Sequence, residues 1–317
     1  MTLVRPRAWW FNKVPFSVML VLLLADGNGD GGRGLAVLGL VVLTVCTAAN
    51  YGYAINEIHD VEEDGRAGRG NAATVHSARR LRVIAAASAA VALASAQALA
   101  GVPAAALTAI ELALPLAYSV PPVRLKERGW LGVGADALAA HVYPVLLALL
   151  AVDHWSVRPV TTALSAAVVA WAATTGVRGI LAHQLASAEA DRAAGLTTVA
   201  HTMGSARLER VIVGIVLPAE VTALALVVTV AGVGPVAWVL AGVYVAFELL
   251  APVPGGRNRT TLLYNFYKLW APLTLALDAG LVAAEYLAVI SVYALLFAPH
   301  VRAELGRTAG ALLPKRL

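Results

Sequence analysis

The sequence predicts an all-α membrane protein, with about nine transmembrane helices around a central cavity and a single domain over residues 1–317. Hydrophobic residues fill 59% of the 317 positions, charged residues only 14%, and the mean hydropathy is +0.74. A soluble domain is nearer to about 45–50% apolar and about 25% charged. Apolar runs long enough to cross a bilayer recur along the chain, and short basic loops separate them.

Nine predicted spans follow one another along the chain. They cover residues 14–25, 34–57, 80–101, 103–119, 135–152, 159–182, 208–232, 235–251 and 270–298. Only residues 101–103, Gly-Val-Pro, separate the third and fourth spans, which predicts a tight hairpin. The last run is long and contains Asp278 and Glu285, so it holds one span, two short passes or a surface segment.

The positive charges predict the orientation of these spans. With nine spans, four basic loops fall on the side of the N-terminus: Arg66, Arg69, Arg79 and Arg80; Arg124, Lys126 and Arg128; Arg192 and Arg207; Arg257, Arg259 and Lys268. The opposite loops hold little more than Arg33 and Arg158. The positive-inside rule therefore predicts an integral protein of the cell (inner) membrane, with the basic loops in the cytoplasm. An odd number of spans would leave the basic C-terminal tail outside.

Charge and cysteine content exclude several classes of protein. The net charge of +5 does not indicate a nucleic-acid partner, because the basic residues lie in short loops between apolar runs. Cys46 is the only cysteine and lies inside an apolar run, which excludes an intramolecular disulfide and a cysteine metal site. Arg5, Arg7 and Lys13 precede an apolar segment that lacks a small-residue cleavage site, so no cleavable signal is expected.

The segment NEIHDVEEDGRAGRGN, residues 56–71, directly follows an apolar run. Asn56, Asp60 and Asp64 are four residues apart, so on a helix an amide and two carboxylates share one face. Arg66 and Arg69 follow at once. Carboxylates beside a membrane suggest a hard cation, and neighbouring arginines suggest a phosphorylated ligand. The alternative is a solvated charged cap on a membrane helix.

Two further loops have complementary chemistry. In AYSVPPVRLKERGWLG, residues 117–132, Pro121 and Pro122 predict a helix end followed by an extended segment. Arg124 and Lys126 alternate on such a segment, so both can point toward an anion that a metal bridges to the first acidic motif. The alternative is an ordinary positive-inside loop.

In HQLASAEADRAAGLTT, residues 183–198, the spacing of four recurs at His183, Ser187 and Asp191. Glu189 falls nearly opposite Asp191 on a regular helix. Two such polar helix ends could hold Mg²⁺ between them, with the oxygens of a diphosphate completing the shell. A lone His183 at a helix end is more often an interfacial hydrogen-bonding residue than a ligand.

These segments resemble the UbiA-type intramembrane prenyltransferases, the family of 4-hydroxybenzoate polyprenyltransferase, over about residues 10–298. Asn56, Asp60 and Asp64 match its first motif, NxxxDxxxD, and Asp191 in EADRAAGLTT matches its second. The loop YSVPPVRLKERGWLG is most similar to the chlorophyll-synthase branch, which also has Ser and Glu at the places of Ser187 and Glu189. The family's K-P-x-R-P is AGRGNAA here, where Arg66 and Arg69 supply cations, and Gln184 stands where an acid is frequent.

The resemblance implies a nine-helix bundle whose cavity opens sideways to lipid, with Mg²⁺ as cofactor and an isoprenyl diphosphate as donor. It implies that the metal ligands are Asn56, Asp60, Asp64 and Asp191, and that Asp60, Asp64, Asp191 and Lys126 are catalytic. The implied substrate-binding residues are Asn56, Arg66, Arg69, Tyr118, Arg124, Lys126, His183, Ser187 and Arg192. Tyr51, Tyr53, Tyr118 and Tyr143 are candidates to line a dry pocket, although interfacial packing is the commoner role of such residues.

Three functions are compatible with these features. The first is Mg²⁺-dependent transfer of an isoprenyl group to a small-molecule or lipid acceptor that reaches the site from the membrane. The second is a UbiA-type terpene cyclase, in which a double bond of the prenyl chain attacks the cation and no acceptor is needed. The third is a non-catalytic transporter or lipid-binding protein, which could use Glu111, Asp136, Glu220 and Glu248 in or near the spans. Against the third, acids and cations cluster at one face.

Overall fold

A computed structural model describes residues 11–24, 31–156 and 160–231, together with a few isolated positions after them. Every regular element in these ranges is helical. The α-helices are α1 Phe11–Leu24, α2 Gly31–His59, α3 Val61–Arg66, α4 Ala72–Val75, α5 Ala78–Ser119, α6 Trp130–Ala137, α7 Tyr143–Trp155, α8 Thr162–Ala193, α9 Val199–Met203, α10 Ser205–Val211 and α11 Leu217–Val230. A 3₁₀ turn spans Leu125–Glu127, and π-helical turns span Leu138–Val142 and Ile212–Val216.

Most predicted spans coincide with observed helices. Five helical stretches in the described ranges are long and apolar enough to cross a membrane: Gly34–His59, Ala78–Ser119, Trp130–Trp155, Thr162–Ala193 and Ser205–Val230. They cover the second to seventh predicted spans, because Ala78–Ser119 contains both the third and the fourth. Helix α1 coincides with the predicted first span. Apart from a few isolated positions, the predicted spans 235–251 and 270–298 lie outside the described residues, so the total of nine stays a prediction.

Helix α5 reverses direction within its length. Gly101 adopts φ 66° and ψ −152°, a conformation that favours glycine and interrupts the helical path. Before this turn, the Ser88 hydroxyl contacts the Asn50 amide at 3.0 Å; at the end of α5, the Ser119 hydroxyl donates to Asn56 at 2.6 Å. Both halves of α5 therefore run along α2, which confirms the hairpin predicted at residues 101–103.

Small residues let the helices of the bundle approach closely. Residues of this kind are buried on α2 and α5, among them Ala48, Ala54, Ala92, Ala96 and Ala104. On α8, a Cβ added to Gly176 would lie 3.0 Å from the Cα of Ala137, so α8 crosses the end of α6 at a distance that only glycine permits. This crossing sets the position of α8, and the C-terminal turns of α8 contain His183, Ser187 and Asp191.

A buried ion pair joins α8 to α11. The guanidinium of Arg178 contacts both carboxylate oxygens of Glu220, with Nη2 2.8 Å from Oε1, and the side chains are 0% and 1% exposed. The Thr175 hydroxyl donates to Glu220 Oε1 at 3.1 Å. Because a desolvated carboxylate is costly without partners, these contacts fix the two helices in one register.

We expect Arg178→Ala to destabilise the protein by about 3–5 kcal/mol, because it leaves the Glu220 carboxylate buried without its cation. Thermal unfolding in detergent or nanodiscs measures the effect. Arg210→Ala is the matched control, because Arg210 is helical and its Nε reaches only the Ala206 carbonyl, at 3.4 Å on the surface. Equal stability of the two variants would show that the buried pair does not hold α8 to α11.

Candidate active site

Three of the basic and acidic loops meet at one end of the helical bundle. The ammonium of Lys126 reaches Asp60, the guanidinium of Arg69 reaches Asp191, and Arg66 Nη1 donates to the Ala194 carbonyl at 3.4 Å. The residues that the sequence assigns to a common site thus lie together in space. The fourth basic loop, residues 257–268, lies outside the described residues.

The first acidic motif forms a nearly continuous helical path. Asp60 lies between α2 and α3 with φ −103° and ψ 9°, so the motif occupies two helices rather than the one predicted. The backbone hydrogen bonds nevertheless continue through it, from Asp60 N to Asn56 O and from Asp64 N to Asp60 O, each 2.8 Å. Because these i to i+4 bonds are kept, the three residues of the motif remain one turn apart.

Two cations of the second loop contact this acidic segment. The Lys126 ammonium donates to Asp60 Oδ1 at 2.6 Å and to Glu63 Oε2 at 2.5 Å. The Arg124 guanidinium pairs with the other oxygen of Glu63, and its Nε donates to Glu127 at 2.6 Å. Glu63 is buried, so a single desolvated carboxylate holds both cations side by side.

The second loop reaches this position by turning, so the predicted extended segment is wrong. Arg124 adopts the left-handed conformation, with φ 41° and ψ 58°, and a 3₁₀ turn follows at Leu125–Glu127. Glycines make this compact path possible: Gly129 has φ 55°, and a Cβ on Gly132 would lie only 2.5 Å from the Leu125 carbonyl oxygen. The turn therefore packs directly onto the first residues of α6.

Burial shifts the pKa values of the central ion pair in opposite directions. Burial raises the pKa of Asp60 above its usual range, although the neighbouring Lys126 lowers it. Burial likewise lowers the pKa of Lys126, although Asp60 raises it. Each charge is therefore less stable than in water, and both groups are ionised together over a narrower pH range than when free.

The second acidic motif is joined to the first through one guanidinium. Asp191 is buried and accepts a hydrogen bond from Ser187 Oγ at 2.5 Å. Its other oxygen lies 3.1 Å from Arg69 Nη1, and Arg69 Nε lies 3.1 Å from Asp64 Oδ1. Asp64 and Asp191 thus present oxygens to the same positive charge.

This arrangement fits a metal that is shared with a phosphorylated ligand. Among the described residues, no three Asp, Glu, His or Cys side chains gather closely enough to enclose a metal on their own. Mg²⁺ usually takes one or two carboxylates and completes its shell with water and substrate phosphates. Asp64 and Asp191 already converge on one cation, and Asn56 keeps a second lone pair beyond its bond from Ser119.

Several residues that position this site were missed in the sequence. Glu63 lies seven residues after Asn56, so it shares the face of the motif, and that spacing could have identified it. Asn71 caps α4 through Ala73 N at 2.8 Å and donates to Asp64 Oδ2 at 2.9 Å. An Asn before a helix is a recognisable cap, but its contact with Asp64 depends on how the loop folds.

Glu57 is buried and accepts from the Ala72 amide, a long-range contact with no local signal. The Gln184 side chain, where the family often has an acid, accepts from Val199 N at 3.1 Å and so anchors α9.

The remaining predicted site residues divide into two groups. Arg66 is exposed and pairs with Glu62 as well as with the Ala194 carbonyl, rather than with the carboxylates of the motifs. Arg192 is exposed at the end of α8. Tyr118 and His183, by contrast, line a partly open cavity.

A cavity of about 280 Å³ lies between α1, α2, α5, α6 and α8. Its polar lining comprises Asn56, Tyr118, His183, Asp136, His141 and Lys13. Asn56 is one helical turn before Asp60, so the cavity begins directly beneath the acidic cluster. Of the four candidate tyrosines, only Tyr118 is among the lining residues; Tyr51, Tyr53 and Tyr143 are buried, and the Tyr143 hydroxyl contacts Thr108 at 3.1 Å.

The helical bundle is also the fold of known proteins. The model of the UbiA prenyltransferase family matches residues 14–260, so the chain belongs to the UbiA prenyltransferase family. No curated protein matches the sequence.

Three solved structures share the fold. A UbiA homolog from Archaeoglobus fulgidus bound to GPP and Mg²⁺ is 18% identical, with a TM-score of 0.61, over 89% of this chain and 96% of that chain. The same homolog bound to DMAPP and Mg²⁺ is 19% identical, with the same coverage and TM-score. The apo UbiA homolog from Aeropyrum pernix K1 is 19% identical, with a TM-score of 0.64, over 84% of this chain and 95% of that chain.

We expect Asp191→Asn to lower Mg²⁺-dependent turnover of a prenyl diphosphate by about 100-fold or more, because Asp191 is the buried carboxylate that meets Arg69. Glu189→Gln is the matched control, because Glu189 is exposed on the same helix and should keep wild-type turnover within about twofold. Initial rates of diphosphate release measure both variants. The opposite order of effects would place the site on the other side of α8.

Proposed function

We propose that this protein transfers an isoprenyl group from an isoprenyl diphosphate to an acceptor that enters from the membrane, in a Mg²⁺-dependent reaction. The observation that carries the proposal is the contact of Arg69 with both Asp64 and Asp191. It brings together the two acidic motifs of a UbiA protein at the mouth of a cavity. The Archaeoglobus fulgidus homologs with GPP or DMAPP and Mg²⁺ support the same donor class.

The acidic end would bind the diphosphate. Its proposed metal ligands are Asn56, Asp60, Asp64 and Asp191, and its proposed diphosphate cations are Lys126, Arg124 and Arg69. Bound Mg²⁺ would neutralise the negative charge that develops on the leaving diphosphate. Lys126 and Arg124 are held by carboxylates, close to where the phosphate oxygens would lie. Charge-assisted bonds from these cations would orient the donor and stabilise the same charge.

The cavity would receive the reacting end of the prenyl chain. Because Asn56 belongs to both the acidic motif and the cavity wall, a diphosphate at the motif would direct its C1 carbon inward. Apolar residues such as Leu114 and Ile180 line part of the wall and would exclude water from an allylic cation. The ring of Tyr118 would offer a π face to that cation.

The polar part of the wall favours transfer over cyclisation. Both reactions would use the same diphosphate site and differ in what attacks the cation. Lys13, Asp136 and His141 provide hydrogen-bonding groups inside the cavity, which suit a polar acceptor better than a folded hydrocarbon chain. A terpene cyclase remains the second candidate. The similarity of residues 118–132 to the chlorophyll-synthase branch would fit a loop that binds the diphosphate.

The function is tested by incubating purified protein with farnesyl or geranylgeranyl diphosphate and Mg²⁺, without acceptor, and identifying products by mass spectrometry. We expect slow diphosphate release that EDTA abolishes, with no cyclic product. Asp60→Asn and Asp64→Asn should each lower release by about 100-fold or more, because the amide removes the charge while keeping the shape. Asp153→Asn, an exposed carboxylate at the end of α7, is the control. A cyclic hydrocarbon or terpene alcohol would instead support the cyclase.

We further propose that the acidic end faces the cytoplasm. In a Cys46→Ala background, each single cysteine should be labelled from the cytoplasmic side and not from the other. These cysteines replace Glu62, Glu127, Ala193 or Arg259. A cysteine at Asp153 should be labelled from the opposite side only, because it lies at the other end of the Trp130–Trp155 stretch. Membrane-impermeant maleimide on oriented vesicles provides the measurement. Labelling of any two of the first four positions from opposite sides would contradict the orientation.

A further inference from the structure

Glu63 is a buried carboxylate at the acidic end, and it is not among the proposed metal ligands. It lies in the short helix α3, and the residue is only 6% exposed. Its two oxygens contact different cations: Oε2 accepts from Lys126 Nζ at 2.5 Å, and Oε1 pairs with Arg124 Nη2. Cations thus engage both oxygens, which separates the role of Glu63 from that of a metal ligand.

The carboxylate of Glu63 offsets the mutual repulsion of Lys126 and Arg124. Two cations on the same carboxylate group lie close together, and their side chains are only 9% and 23% exposed. Water therefore screens the repulsion between them weakly. Without the negative charge at Glu63, the two cations would move apart, and neither would keep its present position.

The backbone at Arg124 depends on the same contact. Its φ of 41° and ψ of 58° are a left-handed conformation, which costs free energy in a residue other than glycine. The guanidinium is held at two points, Nη2 by Glu63 and Nε by Glu127 at 2.6 Å. Because Arg124 directly precedes the 3₁₀ turn Leu125–Glu127, its conformation also sets the direction of the Lys126 side chain.

Both cations keep N–H donors that these carboxylates do not engage. The Lys126 ammonium has three donors, and its contacts within the described residues direct two of them at Asp60 and Glu63. The Arg124 guanidinium has five donors, and its contacts with Glu63 and Glu127 use Nη2 and Nε. A phosphate group can therefore bind to both cations while Glu63 still holds them.

We propose that Glu63 is a positioning residue for the prenyl donor, because it holds Lys126 and Arg124 side by side so that both donate to the diphosphate. This inference rests on the proposed function, since it requires an isoprenyl diphosphate at the acidic end. Glu63 contacts neither the metal nor the substrate, and it acts only through the two cations.

The sign of its effect on donor affinity distinguishes this role from a simple electrostatic one. A carboxylate near an anion-binding site repels the anion, so removal of its charge alone would tighten donor binding. Removal of a positioning carboxylate weakens donor binding instead, because two charge-assisted hydrogen bonds to the diphosphate lose their geometry. The two roles therefore predict opposite changes for the same variant.

The first measurement uses Glu63→Gln, whose amide oxygen can accept from one cation while its NH₂ group would face the other. We expect the KM for geranylgeranyl diphosphate to rise about tenfold or more. The Kd of geranylgeranyl S-thiolodiphosphate, a slowly reacting analogue, should rise by a similar factor in calorimetry. The Mg²⁺ concentration that gives half the maximal rate should change by less than about twofold, because Glu63 is not a ligand.

Glu62→Gln is the matched control. Glu62 is the preceding residue of the same helix, its side chain is 80% exposed, and it pairs with the exposed Arg66. This variant should keep kcat and KM within about twofold of wild type. Glu63→Asp keeps the charge on a shorter side chain, and its KM should lie between those of wild type and Glu63→Gln. If Glu63→Gln does not fold, Glu63→Asp decides the question alone through a donor KM raised by about threefold.

A double-mutant cycle tests whether Glu63 acts through Lys126. In a Lys126→Met background, the effect of Glu63→Gln on donor Kd should be smaller by at least about threefold, because one of the two cations is gone. An equal effect in both backgrounds, unchanged donor affinity or tighter donor binding would overturn this inference and leave the proposed function intact. Absence of Mg²⁺-dependent diphosphate release by the wild-type protein would overturn the proposed function itself.

Discussion

The guanidinium of Arg69 is the contact on which the polar end of the bundle depends. It lies between Asp64 and Asp191, two carboxylates from separate helices that would otherwise repel each other in a partly desolvated site. Lys126 plays the corresponding part for Asp60 and Glu63. The carboxylates of Asp60, Glu63, Asp64 and Asp191 each contact a cation. Lys126, Arg124 and Arg69 in turn each contact a carboxylate from another segment of the chain. The network that prepares a site for a metal and an anion is the same network that joins the three loops.

The position of α8 connects this network to the core. Asp191 at the end of α8 contacts Arg69, and His183, two turns earlier, lines the cavity. Closer to the N-terminus of the same helix, Gly176 sets the distance between α8 and α6. The buried Arg178–Glu220 pair fixes the register of α8 against α11. A shift of α8 by a fraction of a turn would separate Asp191 from Arg69. The buried pair therefore contributes to the geometry of the site as well as to stability, although it lies outside the cavity lining.

Much of this arrangement could be predicted from the sequence, because membrane helices and their ends have strong local signals. The apolar runs located the described spans, Gly101 marked the hairpin, and spacing by four identified the two acidic stripes. What the sequence reading missed depends on the path of the loops. The proline pair predicted an extended segment, whereas glycines at 129 and 132 allow a compact turn. Spacing by four alone does not include Glu63, and the contact of Asn71 with Asp64 depends on how the loop folds.

The two ends of the cavity impose different requirements on an allylic cation. Near Asn56 the cation would face the diphosphate it has just left, and Asp136 places a carboxyl group in the lining of the same cavity. A carboxylate in direct contact with such a cation would compete with an acceptor for C1. On the proposed function, an acceptor bound between C1 and Asp136 would keep the carbon and the carboxyl group apart. The same wall would threaten a cyclase, whose cation must travel along the hydrocarbon chain without meeting a base. On the proposed function, a carboxyl group in the cavity lining therefore favours a reaction in which bond breaking is fastest when an acceptor is bound.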